Sequence, residues 1–154
     1  MGLSVEDRLD IHDVLVRYGF VVDDRDWAGF GAVFTADAVV DFSGGDASGR
    51  PGPAAIVGVD EIVRQYRDEL THPLQHIIVN HVIDAVSDDE VVVRSKALFP
   101  VPKDGVFEGL YRDVVVRTPA GWRIKHKSMK VFGGASSPWL AQNHPSVTGR
   151  GKKS

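Results

Sequence analysis

The chain has 154 residues, long enough for one hydrophobic core and too short for two of ordinary size. Its 43% hydrophobic and 25% charged residues suit a folded globular protein, and a formal charge of −3 lacks the basic excess of a nucleic-acid binder. Cysteine is absent, which excludes disulfides, thiolate nucleophiles and cysteine zinc sites.

The N-terminus is charged within its first few residues and has no apolar region of signal-peptide kind. No stretch approaches the roughly 20 apolar residues of a membrane span. The expectation is a soluble, cytoplasmic protein without membrane or nucleic-acid partners. Ser4 and Asp7 have capping-box spacing, and Leu9, Ile11, Val14, Leu15, Tyr18 and Val22 follow at helical intervals, predicting a helix over about residues 4–24. Asp26-Trp27 opens a short second helix through Phe30, Val33 and Phe34. Residues 37–42 carry the β-branched density of a short strand. Residues 43–58, with five glycines and two prolines, lack the Lys-Ser/Thr pair of a phosphate-binding loop and read as a lip over a pocket. Val59-Asp60 starts a third helix with Ile62, Val63, Tyr66 and Leu70 on one face, closed by Pro73. Four β-rich runs follow, over 76–86, 90–101, 106–118 and 122–132, separated by turn residues. Helices followed by an antiparallel meander predict an α+β fold. The domain is expected over 1–132 and a partly flexible tail over 133–154. In the tail, Pro138-Trp139-Leu140 offers a docking element, and Arg150, Lys152 and Lys153 form a solvated basic end.

The polar residues each admit two readings. Tyr18 lies on the apolar face of the first helix, as a core tyrosine or as a hydroxyl donor. Asp23 is a helix-end residue or a functional carboxylate, in competition with Asp24 and Asp26. His76, just before an apolar run, is a satisfied core histidine or a base. His72 and His76 have the spacing of helical zinc ligands, with His81 near. Pro73 and the β-branched run argue against one helix holding both, and strand alternation sets His76 and Asn80 on one face with His81 on the other, so no metal site is predicted. On the last run, Lys127 is a solvated lysine or a pocket cation, and His126 has the opposite parity and enters the pocket only if a bulge shifts the register. Tyr111 and Asp113 share a face.

Several stretches stand in a telling order. They are Asp13-Val14-Leu15-Val16-Arg17-Tyr18 followed by Asp23 and Asp26-Trp27; Phe34-Thr35-Ala36-Asp37-Ala38-Val39-Val40-Asp41; Gln75-His76 with Asn80; Gly109-Leu110-Tyr111-Arg112-Asp113; and Gly121-Trp122-Arg123-Ile124. Together, over about residues 4–132, they resemble the SnoaL-like group of the nuclear-transport-factor-2-like superfamily. The resemblance implies a cone-shaped, curved antiparallel sheet packed on three N-terminal helices around one internal pocket, and assembly as a homodimer or homotrimer. It also implies a histidine–aspartate dyad like that of the group's scytalone dehydratase, bile-acid dehydratase and dehydrochlorinase members. His76 would be the general base, Asp23 its orienter and Tyr18 a hydrogen-bond donor, with Lys127 in the place of a pocket arginine. Asn80, Phe34, Phe42, Phe99 and Tyr111, together with Phe30, would line a site for a polyketide-, steroid- or terpenoid-like molecule. Where the dehydratases carry a second polar group this chain has Phe99 and Val101, and where ketosteroid isomerases place their base it has Phe42, with Asp41 one residue off. The implied function is a cofactor-independent dehydratase, or a related isomerase or cyclase. The alternative is a non-catalytic binding or assembly module of the same fold.

Overall fold

Ser4 caps the first helix, α1 (Val5–Asp23), in the manner its spacing predicts. Its hydroxyl accepts from the Asp7 backbone N–H at 3.0 Å, and the Asp7 carboxylate accepts from the Ser4 N–H at 3.3 Å. The same carboxylate accepts from the Trp122 indole at 3.1 Å and pairs with Arg117 at 2.7 Å, so it also ties the helix start to the sheet. These bonds, that from Ser4 foremost, hold the Asp7 pKa down at about 2. Ile11, Val14, Leu15, Tyr18 and Val22 form the buried face of α1.

In this computed structural model the described residues are 2–42, 55–101 and 105–132. Most of the expected lip over 43–58, part of the turn before Gly105 and the tail over 133–154 with its docking element and basic end lie outside the described residues. After α1 comes a 3-10 turn (Trp27–Ala32), capped by Asp26, which accepts from the Gly29 N–H at 3.1 Å. Then follow β1 (Phe34–Asp41), β2 (Ile56–Val57) and α2 (Val59–Asp68). The meander is β3 (Ile77–Ala85), β4 (Glu90–Val101), β5 (Gly105–Thr118) and β6 (Gly121–Phe132). β2 is an addition to the predicted elements, and α2 stops short of Leu70. No helix among the described residues is long and apolar enough to cross a membrane.

The six strands form one curved sheet in the order β2-β1-β6-β5-β4-β3. The α+β class holds, with one correction: the sheet is mixed, because β1 runs parallel to β6, pairing Phe34 with Ile124 and Val40 with Lys127. Hairpins force neighbours in a meander to be antiparallel, but β1 reaches β6 only through α2 and the whole meander, and a long crossover leaves parallel pairing open. β3, β4, β5 and β6 are antiparallel in sequence.

Two bulges decide which side chains face the helices. Val114 pairs with His126 and Val115 with Ile124, so Lys125 is an extra residue in β6. Val79 pairs with Lys96 and Val82 with Arg94, so β3 carries an extra residue at Asn80-His81, where Asn80 adopts φ +57°. Each bulge bends its strand and reverses the alternation beyond it. The core between sheet and helices is built from Ile11, Leu15, Phe30, Phe34, Ile62, Val93, Val115 and Ile124, all 2% exposed or less.

Candidate active site

The last turn of α1 and the entry to β3 meet at one carboxylate. Asp23 Oδ2 accepts the backbone N–H of His76 at 2.9 Å, and Asp23 Oδ1 lies 2.6 Å from His76 Nδ1. With the carboxylate as acceptor, Nδ1 carries the proton and Nε2 keeps its lone pair. No hydrogen bond among the described residues engages Nε2. The two side chains are 6% (His76) and 20% (Asp23) exposed. Burial lowers the pKa of His76, and the Asp23 bond and charge oppose that shift.

The close approach rests on a glycine. Gly19 lies one turn before Asp23 on α1, and a Cβ built there would sit 3.1 Å from the carbonyl oxygen of His76. A bare Cα lets the strand entry reach the helix. A second glycine makes room for a ring beside the dyad: the Phe99 ring lies across Gly109, where a Cβ would be 2.5 Å from the ring. From there Phe99 meets His76 edge-on at 5.4 Å between centroids and Tyr111 at 6.0 Å.

Tyr18, 1% exposed, meets the rings of His76 at 5.9 Å, Phe34 at 5.8 Å and Tyr111 at 6.1 Å. Its hydroxyl is 3.3 Å from that of Tyr66 and donates toward Met129 Sδ at 3.9 Å. Burial raises the Tyr18 pKa well above 10, so the phenol keeps its proton and can donate. Tyr111 is raised by the same cause, and its buried hydroxyl has no hydrogen-bond partner among the described residues. Phe34 stacks on Phe30 beneath this cluster, and Phe42 packs against the core from the end of β1.

Lys127 is brought inward by the Lys125 bulge, in step with Trp122 and Ile124. There it is 1% exposed, its ammonium 3.1 Å from both oxygens of Asp113, which lies directly across on β5 and is fully buried. The ammonium also sits over the rings of Tyr18 at 4.1 Å and Tyr111 at 3.8 Å. Burial pushes the Lys127 pKa down and that of Asp113 up, and their mutual attraction opposes both shifts. Expected as a pocket cation, Lys127 thus already has its charge compensated within the fold.

One expectation changes. Asn80 does not share a face with His76: its left-handed backbone turns it outward and exposed, and brings His81 inward against His12 at 5.0 Å between ring centroids. His126 stays on the outer side, its side chain 41% exposed and Nε2 4.0 Å from Asp41, because the extra residue at Lys125 takes it off the face that Trp122 and Ile124 share and puts Lys127 there. His72 turns its Nε2 to the Tyr66 carbonyl at 2.8 Å while His76 Nδ1 is taken by Asp23. No group of three His, Cys, Asp or Glu among the described residues is arranged to hold a metal ion.

Sequence reasoning did not find Asp113 as the partner of Lys127, Tyr66 as the hydroxyl partner of Tyr18, or Gly19. A signal existed for two of them. Asp113 shares parity with Tyr111, and a glycine inside a helical pattern asks for a packing reason. Tyr66 read only as one residue of an apolar face.

Comparison with other proteins agrees with this architecture. Residues 3–128 match the family profile described as SnoaL-like domain. Uncharacterized proteins of Mycobacterium tuberculosis and Mycobacterium bovis are 30% identical over 132 residues, covering 79% of this chain and 82% of their own. A cystatin-like-fold protein of unknown function from Nostoc punctiforme gives a TM-score of 0.71 at 19% identity, over 91% of this chain and 100% of that one. A Novosphingobium aromaticivorans protein provisionally named an aromatic ring hydroxylase gives 0.69 at 28% identity, over 88% of this chain and 99% of that one. Another from the same organism, provisionally named a scytalone dehydratase, gives 0.62 at 22% identity, over 83% and 88%. With its profile match running from the first helix into β6 on the same α+β architecture, the chain belongs to the SnoaL-like domain family, on the fold of nuclear-transport-factor-2-like proteins.

Proposed function

We propose that this protein is a cofactor-independent acid–base enzyme, a dehydratase-type lyase or a related isomerase or cyclase, acting on a hydrophobic hydroxylated ketone of polyketide, steroid or terpenoid kind. The observation that carries the reading is the double contact of Asp23 with His76, to Nδ1 and to the backbone N–H. A carboxylate bound in this way fixes both the tautomer and the ring orientation, and it stabilises the imidazolium that forms when Nε2 takes a proton.

In the proposed reaction, Nε2 of His76 removes a proton from the carbon beside the substrate carbonyl, and the C–H electron pair becomes the new carbon–carbon π bond. The carbonyl oxygen, gaining negative character, accepts hydrogen bonds from phenols that burial keeps protonated. Tyr111 is the first candidate, since its buried hydroxyl lacks a partner and a substrate oxygen would supply one. Tyr18 is the second, shared with Tyr66. The β-hydroxyl then leaves as water, taking the proton held by His76, so the dyad returns to its starting state. The Asp113–Lys127 pair positions the faces of Tyr18 and Tyr111 and is not assigned a proton.

The test is exchange of α-protons in heavy water for a panel of cyclic β-hydroxyketones, followed by mass spectrometry together with loss of water. Wild type should exchange and dehydrate a member of the panel. His76→Ala should be slower by about 10²- to 10⁴-fold, with its melting temperature within a few degrees of wild type. An alanine variant with undiminished exchange would refute the dyad. A wild type that binds panel members without exchanging their protons would be a binding module.

A further inference from the structure

The residues between α2 and β3 bring a second imidazole beside the dyad. His72 lies 6.2 Å from His76 and 5.1 Å from Tyr66 between ring centroids. Its Nε2 is 2.8 Å from the carbonyl oxygen of Tyr66, in the last turn of α2, where a helix has no partner of its own for its carbonyls. A carbonyl only accepts, so Nε2 carries the proton and Nδ1 keeps its lone pair. No hydrogen bond among the described residues engages that Nδ1. His72 is half-buried, and burial holds its pKa below the ordinary 6.5, so at pH 7 the ring is neutral and the lone pair is present.

The bond to Tyr66 thus accounts for one nitrogen of His72 and leaves the other without a structural task. The rings around His76 differ in what they offer. Phe99 presents an apolar edge, Tyr18 a phenol that keeps its proton, and His72 an acceptor. Two imidazole nitrogens alone are an incomplete ligand set for a metal, and no third His, Cys, Asp or Glu is arranged with them among the described residues. A β-hydroxyketone has the complementary groups. Its carbonyl accepts, while its α-proton and its hydroxyl stand on neighbouring carbons and each needs an acceptor. His76 Nε2 meets the first, and the second calls for another lone pair close by.

We propose that His72 is a specificity-determining residue of this site, its Nδ1 accepting the hydrogen bond of the substrate's hydroxyl and so selecting hydroxylated ketones over plain ones. The proposal deepens the dyad reading and rests on it. A plain ketone that displaces water from Nδ1 leaves the lone pair unmatched, whereas a hydroxyketone supplies a new donor. Removal of the α-proton by His76 does not require the hydroxyl, so both kinds of ketone exchange, and their relative rates report on His72.

The test measures α-proton exchange in heavy water for 3-hydroxycyclohexanone and the larger hydroxyketones of the panel, each beside the same ketone without its hydroxyl. The ratio of the two kcat/KM values, compared between wild type and His72→Phe, cancels the inductive effect of the hydroxyl and any general damage to the fold. In His72→Phe this ratio should fall by about tenfold, within the worth of one hydrogen bond, through KM and not through kcat. In wild type, nitrogen NMR of labelled histidine should show the unprotonated Nδ1 of His72 shifting with the hydroxyketone and not with the plain ketone. An unchanged ratio, or an Nδ1 signal indifferent to the hydroxyl, would overturn the proposal and leave the dyad standing. A wild type that exchanges neither ketone of any pair would remove the dyad reading, and this proposal with it.

Discussion

His76 is held by two opposing influences. Burial disfavours its imidazolium, the Asp23 carboxylate favours it, and burial is the larger, so the ring titrates below the ordinary histidine value of 6.5. A base kept neutral in this way is ready at neutral pH. The consequence for stability has a definite sign. With the folded pKa below the unfolded one, the unfolded chain binds the proton more readily, so the contribution is fully present above 6.5 and is lost as pH falls through the folded value. His72 and His81 are lowered by burial as well and act in the same window. Turnover should therefore hold its plateau below pH 6.5 before its acid limb begins, and the melting temperature should start to fall over the same interval. A pH–rate profile whose acid limb lies above 6.5 would contradict this placement of the base.

Elements matter here because backbone details, more than side-chain types, bring the dyad together. Glycine inside a helix costs about 1 kcal/mol relative to alanine, so Gly19 needs a compensating role. The structure supplies one, since the His76 carbonyl occupies the space a Cβ would crowd. Gly19→Ala should raise helix propensity while pushing the entry of β3 away from Asp23. The expected result is a melting temperature close to wild type with turnover reduced by about tenfold or more, because small displacements of a catalytic group are costly. Unchanged turnover in that variant would show that the strand entry has slack. The two bulges act at the same scale. Much of each element was legible from spacing: the Ser4 cap, the helical apolar face, and the alternation of β4 and β5. The bulges at Asn80-His81 and Lys125 were not, because an inserted residue leaves the composition of a strand unchanged and reveals itself only in the partner's register. That is why alternation alone sets Asn80 on the wrong face, whereas His76 and Asp23 are named through the family resemblance and not through the pattern of any one element.

Across the whole molecule, the least expected feature is a fully buried ion pair in the core. Asp113 and Lys127 are 0% and 1% exposed, and each makes the burial of the other tolerable. Removing one partner strands a charge. Asp113→Ala should cost about 3–5 kcal/mol, a large share of the roughly 5–15 kcal/mol that holds a domain of this size together. Asp113→Leu combined with Lys127→Met, which removes both charges, should unfold at a higher denaturant concentration than Asp113→Ala. If the single variant were as stable as wild type, the pair would not be the buried contact described. The α+β class was readable because helices and β-rich runs segregate along the chain. The parallel pairing of β1 with β6 was not, since no local signal records which distant strand closes a sheet.

The proposed chemistry requires that Asp23 hold a neutral His76 with its proton on Nδ1 and a free lone pair on Nε2. Nitrogen NMR of isotope-labelled histidine at neutral pH reads this directly. One histidine should show a protonated Nδ1, an unprotonated Nε2 and a hydrogen-bonded shift that disappears in Asp23→Asn. A His76 that is doubly protonated at neutral pH, or that carries its proton on Nε2, would contradict it.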